Sequence, residues 1–220
     1  MHKTVQNLIK IQKEIQSKIN ELNYKDYQPE IIAISKTFKM NHISHLIEYG
    51  HKHFGENKVQ EAIEKWPNIK LKNKNLILHM VGTLQTNKVK YAIKLFDYLH
   101  SVDNLKLAKK ISDEQKKHNK KPKIFIQINL GGEVQKSGII KSNLKDFYSS
   151  CKELDLNVVG TMCLPPEGED SMLYFKELNE LNQSIDLKEI SMGMSGDFLQ
   201  ALEFKSTFLR IGSKIFGERS

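Results

Sequence analysis

The chain has 220 residues, of which 39% are hydrophobic and 27% charged, so a sizeable core is available and wholesale disorder is excluded. No apolar run approaches the roughly 18 residues that span a bilayer, and Met1-His2-Lys3-Thr4 leads into alternating polar and apolar positions rather than a signal-peptide core. The 34 Lys and Arg against 26 Asp and Glu give a net charge of +8, but the lysines are spread along the chain, so a solvated basic surface is expected in place of a nucleic-acid site.

The denser lysine groups (Lys70, Lys72, Lys74; Lys116, Lys117, Lys120, Lys121, Lys123) carry no interleaved aromatic residues for base stacking. Cys151 and Cys163 are too few for a disulfide framework and too far apart for a CxxC pair. A reducing cytoplasm is therefore the expected compartment.

In chain order, Val5, Leu8, Ile11, Ile15, Ile19 and Leu22 form one face of an amphipathic N-terminal helix. Strand-like runs follow at Ile31–Ser35, Lys52–Phe54, Leu76–Val81 and Tyr98–Val102, with the second brief and only partly apolar. Asp103 is a plausible cap for a helix with Leu105, Ala108 and Ile111 on its buried face. Further strands are expected at Ile124–Leu130 and Val158–Leu164, then a helix through Phe175, Leu178, Leu181 and Ile185. The last two strands are Glu189–Met192, brief and only partly apolar like the second, and Phe208–Ile211.

Eight strands alternating with helices, without a Pro/Gly/Ser linker, fit one (β/α)8 barrel domain over 1–220, preceded by an additional N-terminal helix. A doubly wound dinucleotide-binding sheet would show GxGxxG after an early strand, and the sequence has none.

Barrel chemistry sits at the C-terminal ends of the strands. Pleat alternation puts Ile32, Ile34 and Lys36 on one face, facing either the lumen or the surrounding helices. Partial desolvation of an amine at an apolar rim favours its neutral, nucleophilic form, although a snorkelling lysine fits the same position. After the seventh strand comes Ser191-Met192-Gly193-Met194-Ser195-Gly196-Asp197; the eighth runs Phe208-Leu209-Arg210-Ile211-Gly212-Ser213. Small and hydroxyl residues there let backbone N–H groups approach an anion, and the loops after strands seven and eight are the recurrent phosphate cradle of this fold.

The blocks Ile31–Thr37, Phe54-Gly55-Glu56-Asn57-Lys58-Val59-Gln60-Glu61 and His79-Met80-Val81-Gly82-Thr83-Leu84-Gln85-Thr86-Asn87-Lys88 resemble signature segments of the YggS/PROSC family of pyridoxal 5′-phosphate (PLP) homeostasis proteins. His100–Asp103, Lys136-Ser137-Gly138, Gly160-Thr161-Met162, Ser191–Ser195 and Arg210–Gly217 extend the likeness over nearly the whole chain. The resemblance implies a barrel like the N-terminal domain of alanine racemase with PLP as cofactor. It implies Lys36 as the Schiff-base lysine, phosphate contacts from Ser195, Gly212 and Ser213, and Arg210 facing the pyridine nitrogen. Asn57 and Met80, in matching blocks, are implied near the cofactor.

An arginine opposite the pyridine nitrogen only donates, so it opposes pyridinium formation and weakens the ring as an electron sink. Together with the resemblance, this leads to the expectation of a PLP carrier or buffer without catalytic turnover that serves apo PLP-dependent enzymes, and of a monomer. The alternative is a PLP-dependent amino-acid racemase, which needs a second base that no residue here identifies. Gly193-Met194-Ser195-Gly196-Asp197 departs from a GxSxG nucleophile elbow at Asp197. The pairs His51/His53 and His42/His45 lack companion metal ligands nearby, and His79 is read as a lumen or core histidine. Glu56 is expected to be structural and Trp66 to pack at a helix end.

Overall fold

A computed structural model describes residues 1–133 and 135–218; the last two residues of the expected domain, and Val134, lie outside them. The elements run α1 (Lys3–Glu21), β1 (Glu30–Ile34), α2 (Met40–Glu48), β2 (His53–Glu56), α3 (Val59–Lys65), α4 (Pro67–Lys72), β3 (Ile77–Met80) and α5 (Val89–Leu95). They continue with β4 (Tyr98–Val102), α6 (Leu105–His118), β5 (Lys123–Gln127), α7 (Leu144–Glu153) and β6 (Asn157–Met162). The chain then forms α8 (Ser171–Gln183), β7 (Glu189–Ser191), α9 (Phe198–Glu203), β8 (Phe208–Ile211) and α10 (Ser213–Phe216). The eight strands close in sequence order into a parallel barrel, β1 pairing with β8 from Glu30↔Phe208 to Ala33↔Ile211.

Period-two alternation sorts the strand residues into two cores. Ile32, Ile34, Tyr98, Phe125, Met162 and Phe208 fill the lumen. Ile31, Ala33, Leu78, Met80, Ile124, Ile126, Ile190, Leu209 and Ile211 face the helices. Lumen space is tight at Gly55, where a Cβ would come within 2.6 Å of the Ile34 side chain.

The N-terminal helix buries Val5, Leu8, Ile11, Ile15 and Ile19, as its spacing predicts. It lies against α2, α9 and α10, and Asn7 Nδ2 donates to the Ile215 carbonyl at 2.9 Å. The extra helix thus anchors the short α10 that follows the last strand.

One helix start differs from the sequence expectation. Asn104, not Asp103, caps α6, accepting from Leu107 N at 2.9 Å. Asp103 accepts instead from the Asn104 amide at 2.8 Å and from Gly138 N at 3.0 Å, which ties the β4 end to the loop after β5. No helix among the described residues is long and apolar enough to cross a membrane.

Candidate functional site

A cavity of about 1070 Å³ opens at the C-terminal mouth of the barrel. Its wall includes Lys36, Asn57, Ser195, Arg210, Gly212 and Ser213. Six of the seven residues singled out from sequence are therefore brought together: Lys36 and Asn57 from just past β1 and β2, Ser195 from the loop after β7, Arg210 from β8, and Gly212 and Ser213 from the turn into α10.

Met80 is the exception. It is 1% exposed and sits among the side chains facing the helices. The reason is the pleat of β3: His79 and Val81 point to the lumen side, so the intervening residue points away.

Lys36 continues the row of Ile32 and Ile34 and enters the cavity wall above them, which settles the face of β1 as the lumen. Its loop is held from behind. Lys65 Nζ, on α3, donates to the carbonyls of Ser35 at 2.9 Å and Phe38 at 3.2 Å, and pairs with Glu61 at 2.8 Å and Glu56 at 2.7 Å. Thr37, next to the lysine, has φ 69°, and its N–H donates to Glu61 Oε1 at 2.5 Å. A β-branched residue in the left-handed region is a strained conformation that neighbouring bonds must enforce.

Arg210 is buried at the cavity floor, its Nη1 donating to Ser191 Oγ at 2.7 Å and its Nη2 to the Cys163 carbonyl at 2.8 Å. Burial lowers its pKa from the ordinary arginine value, but a guanidinium starts so far above neutrality that it keeps its charge.

At the other end of the cavity, the backbone N–H groups of Gly212 and Lys214 converge on Ser195 Oγ at 3.3 and 3.4 Å. Two donors aimed at one oxygen make an anion-accepting corner. The turn before it needs Gly193 at φ +87°, where a Cβ would also lie 2.7 Å from that of Ala201. Asn57 contributes a buried Oδ1 with no hydrogen-bond partner among the described residues, an orphan acceptor in the cavity wall.

Two residues of the cavity wall, Lys136 and Gly82, were not singled out from the sequence. Lys136 brings a second primary amine to the wall, paired with Glu133 at 2.5 Å; its Lys-Ser-Gly block carried no physical signal of proximity. Gly82 also lines the wall; a Cβ there would lie 2.3 Å from the Asn57 carbonyl oxygen. Behind the site, Glu56 is fully buried and accepts from Ser35 Oγ and Trp66 Nε1 at 2.8 and 2.9 Å, which makes both Glu56 and Trp66 structural. His79 is buried in the lumen between His53 and His100.

Residues 12–220 match the family described as alanine racemase, N-terminal domain. The chain is 38% identical over 200 residues to the pyridoxal phosphate homeostasis protein of Aquifex aeolicus (strain VF5), covering 86% of this chain and 87% of the relative. Identity to the protein of that name from Pasteurella multocida (strain Pm70) is 34% over 226 residues, 97% of each chain. Among solved structures, PipY of Synechococcus elongatus PCC7942 with PLP bound superposes with a TM-score of 0.80 at 29% identity, over 92% of this chain and 100% of that one. Alanine racemase of Clostridium difficile 630 shares the fold, with a TM-score of 0.70 at 14% identity over 94% of this chain and 56% of that one. The chain belongs to the alanine racemase N-terminal domain family and, within it, to the pyridoxal phosphate homeostasis proteins.

Proposed function

We propose that the protein binds PLP reversibly and serves its homeostasis as a carrier or buffer, a single barrel domain acting as a monomer without catalytic turnover. The observation that carries this reading is the sharing of one cavity by the Lys36 amine, the buried Arg210 guanidinium and the corner of Ser195, Gly212 and Ser213.

The residues fit the cofactor on three counts. The converging N–H groups of Gly212 and Lys214, with the Ser195 and Ser213 hydroxyls, suit a phosphate. The unpartnered Asn57 Oδ1 suits a polar ring substituent. Arg210, held on its two Nη atoms by Ser191 and Cys163, suits a ring nitrogen that stays an acceptor.

When bound, PLP supplies an aldehyde that condenses reversibly with a primary amine. Lys36 provides that amine on a loop fixed by Lys65 and Glu61. Arg210 withholds the proton that would make the ring a strong electron sink, which favours holding over turnover. Because that condensation is reversible, handing the cofactor to another amine, such as the lysine of an apo PLP-dependent enzyme, would regenerate the free Lys36 amine. The free, buried Cys151 and Cys163 fit a reducing cytoplasm.

The test is to add PLP to the apo-protein, follow the visible absorbance, reduce with borohydride and map the adduct by peptide mass spectrometry. A visible band and an adduct on Lys36 are expected; no band, or no label on Lys36, sinks the assignment. Incubation with alanine in heavy water is expected to give no deuterium at Cα. Rapid, Lys36-dependent exchange would overturn the non-catalytic part of the proposal.

A further inference from the structure

Below the cavity, the barrel lumen holds a continuous row of polar side chains. Ser191 Oγ, which accepts from Arg210, lies 2.9 Å from His100 Nδ1. His100 Nε2 lies 2.9 Å from His79 Nδ1, and His79 Nε2 lies 3.0 Å from His53 Nδ1. At the N-terminal mouth, His53 Nε2 points at the Glu30 carboxylate, 3.6 Å away. Stacking of His79 on Tyr98 and of His100 on Phe125 fixes the ring planes.

The direction of this row follows from Arg210. A guanidinium only donates, so the Ser191 oxygen must accept from it. Among the described residues the Ser191 hydroxyl has one other polar partner, His100 Nδ1, which must take its proton as an acceptor. A neutral imidazole carries one N–H, so the His100 proton sits on Nε2 and is donated to His79 Nδ1. The same step repeats from His79 Nε2 to His53 Nδ1, leaving the His53 Nε2–H directed at Glu30. Burial keeps the rings neutral, with the pKa values of His79 and His100 well below the ordinary value.

We propose that Ser191, His100 and His79 are positioning residues: a one-way hydrogen-bonded chain, polarised by Arg210, that locks the guanidinium in the orientation it presents to the bound ring. This deepens the PLP reading and rests on it for the role of Arg210. Without the Ser191 contact, Nη1 loses its acceptor in the lumen and the guanidinium is held on that side by the Cys163 carbonyl alone.

Two-bond proton–nitrogen correlation spectra of the 15N-labelled apo-protein test the chain without any cofactor. His53, His79 and His100 are each expected to carry the proton on Nε2, unchanged between pH 6 and 8. A proton on Nδ1 of any of the three overturns the proposal. In Ser191→Ala, His100 is expected to become a mixture of tautomers, and PLP affinity to fall about tenfold, the loss of roughly one charge-assisted hydrogen bond. An unchanged His100 tautomer or an unchanged affinity in that variant also overturns it. Should Ser191→Ala fail to fold, the wild-type spectra still decide. Should the wild type take up no PLP, the function proposed above fails while the apo-protein spectra still judge the chain.

Discussion

Lys65 Nζ and Glu56 Oε1 form a 2.7 Å ion pair directly behind the loop that carries Lys36, with the carboxylate wholly buried. Three donors converge on Oε1, while Oε2 has no partner among the described residues. Burial pushes the Glu56 pKa above the usual carboxylate value, and Lys65, Trp66 and Ser35 pull the other way without cancelling it. A carboxyl whose folded pKa is raised stabilises the fold most in acid and loses that contribution as pH rises through the folded pKa. Glu56→Gln keeps an acceptor and cannot ionise, so the wild type's stability relative to this variant is expected to decline from pH 4.5 towards neutrality. Glu56→Ala strips all three donors of their acceptor and should cost about 3 kcal/mol. Urea unfolding of the three proteins at several pH values checks both; a wild type that gains on Glu56→Gln as pH rises contradicts the first.

Thr37 is the strained neighbour of Lys36, and glycine has no such strain at positive φ. Thr37→Gly is expected to gain up to about 1 kcal/mol, the relief of strain being partly offset by a freer unfolded chain. Glu61→Ala removes both the acceptor of the Thr37 N–H and a partner of Lys65. It should destabilise by about 1–2 kcal/mol and weaken PLP uptake, because the loop presenting Lys36 loses its brace. Denaturation midpoints and PLP titrations separate the two variants. A Thr37→Gly protein less stable than the wild type would show that the hydroxyl or methyl matters more than the backbone.

Why was so much of this site legible in the sequence, and why not all? Strand positions follow from composition, because a parallel strand covered on both faces is apolar along most of its length. The expected run Phe208–Ile211 coincides with β8, whereas Lys52–Phe54 captured only part of β2, whose Gly55 and Glu56 carry no strand signature. Alternation put Lys36 in line with Ile32 and Ile34 but left the lumen and the helices both open as the face, which only the closed barrel decides. The same alternation through β3 sends Met80 to the helices, a conclusion that membership of a motif block obscured. The lumen chain from Arg210 to His53 depends on contacts between four strands, β2, β3, β4 and β7, and the β8 arginine, which no local pattern records.

Four histidines give the fold a defined acid limit. Burial lowers His51 and His53 to about 4, and His79 and His100 fall well below the ordinary value for the same first reason. A depressed folded pKa means the unfolded chain binds protons first on acidification, so this stability is complete above about pH 6.5 and is lost as pH falls towards 4. Each such histidine steepens the slope by up to about 1.4 kcal/mol per pH unit. His51 Nε2 donates to the His53 carbonyl at 2.9 Å, a bond that the amide of His51→Gln can replace, and its ring also meets Phe54 edge-on. That variant is expected to show a shallower fall in urea midpoint between pH 6.5 and 4.5, and an identical slope would remove His51 from the account.

Gly82 tests how closely the β2 and β3 ends must approach to build the cavity wall. A Cβ there would lie 2.3 Å from the Asn57 carbonyl oxygen and within 2.9 Å of its Cα and carbonyl carbon, all backbone atoms that no rotamer change can move. The Gly82 carbonyl is itself held by Ser101 Oγ at 2.6 Å, so the loop cannot simply swing outward. Gly82→Ala should therefore cost about 2–3 kcal/mol through forced backbone displacement. The displacement should push Asn57 and Val81 out of register with the cavity and reduce PLP affinity beyond what the stability loss explains. Gly196→Ala is the control, since its Cβ meets open space, and it should leave the urea midpoint in place. If the two alanine variants prove equally stable, the close approach of these strand ends is not what shapes the pocket.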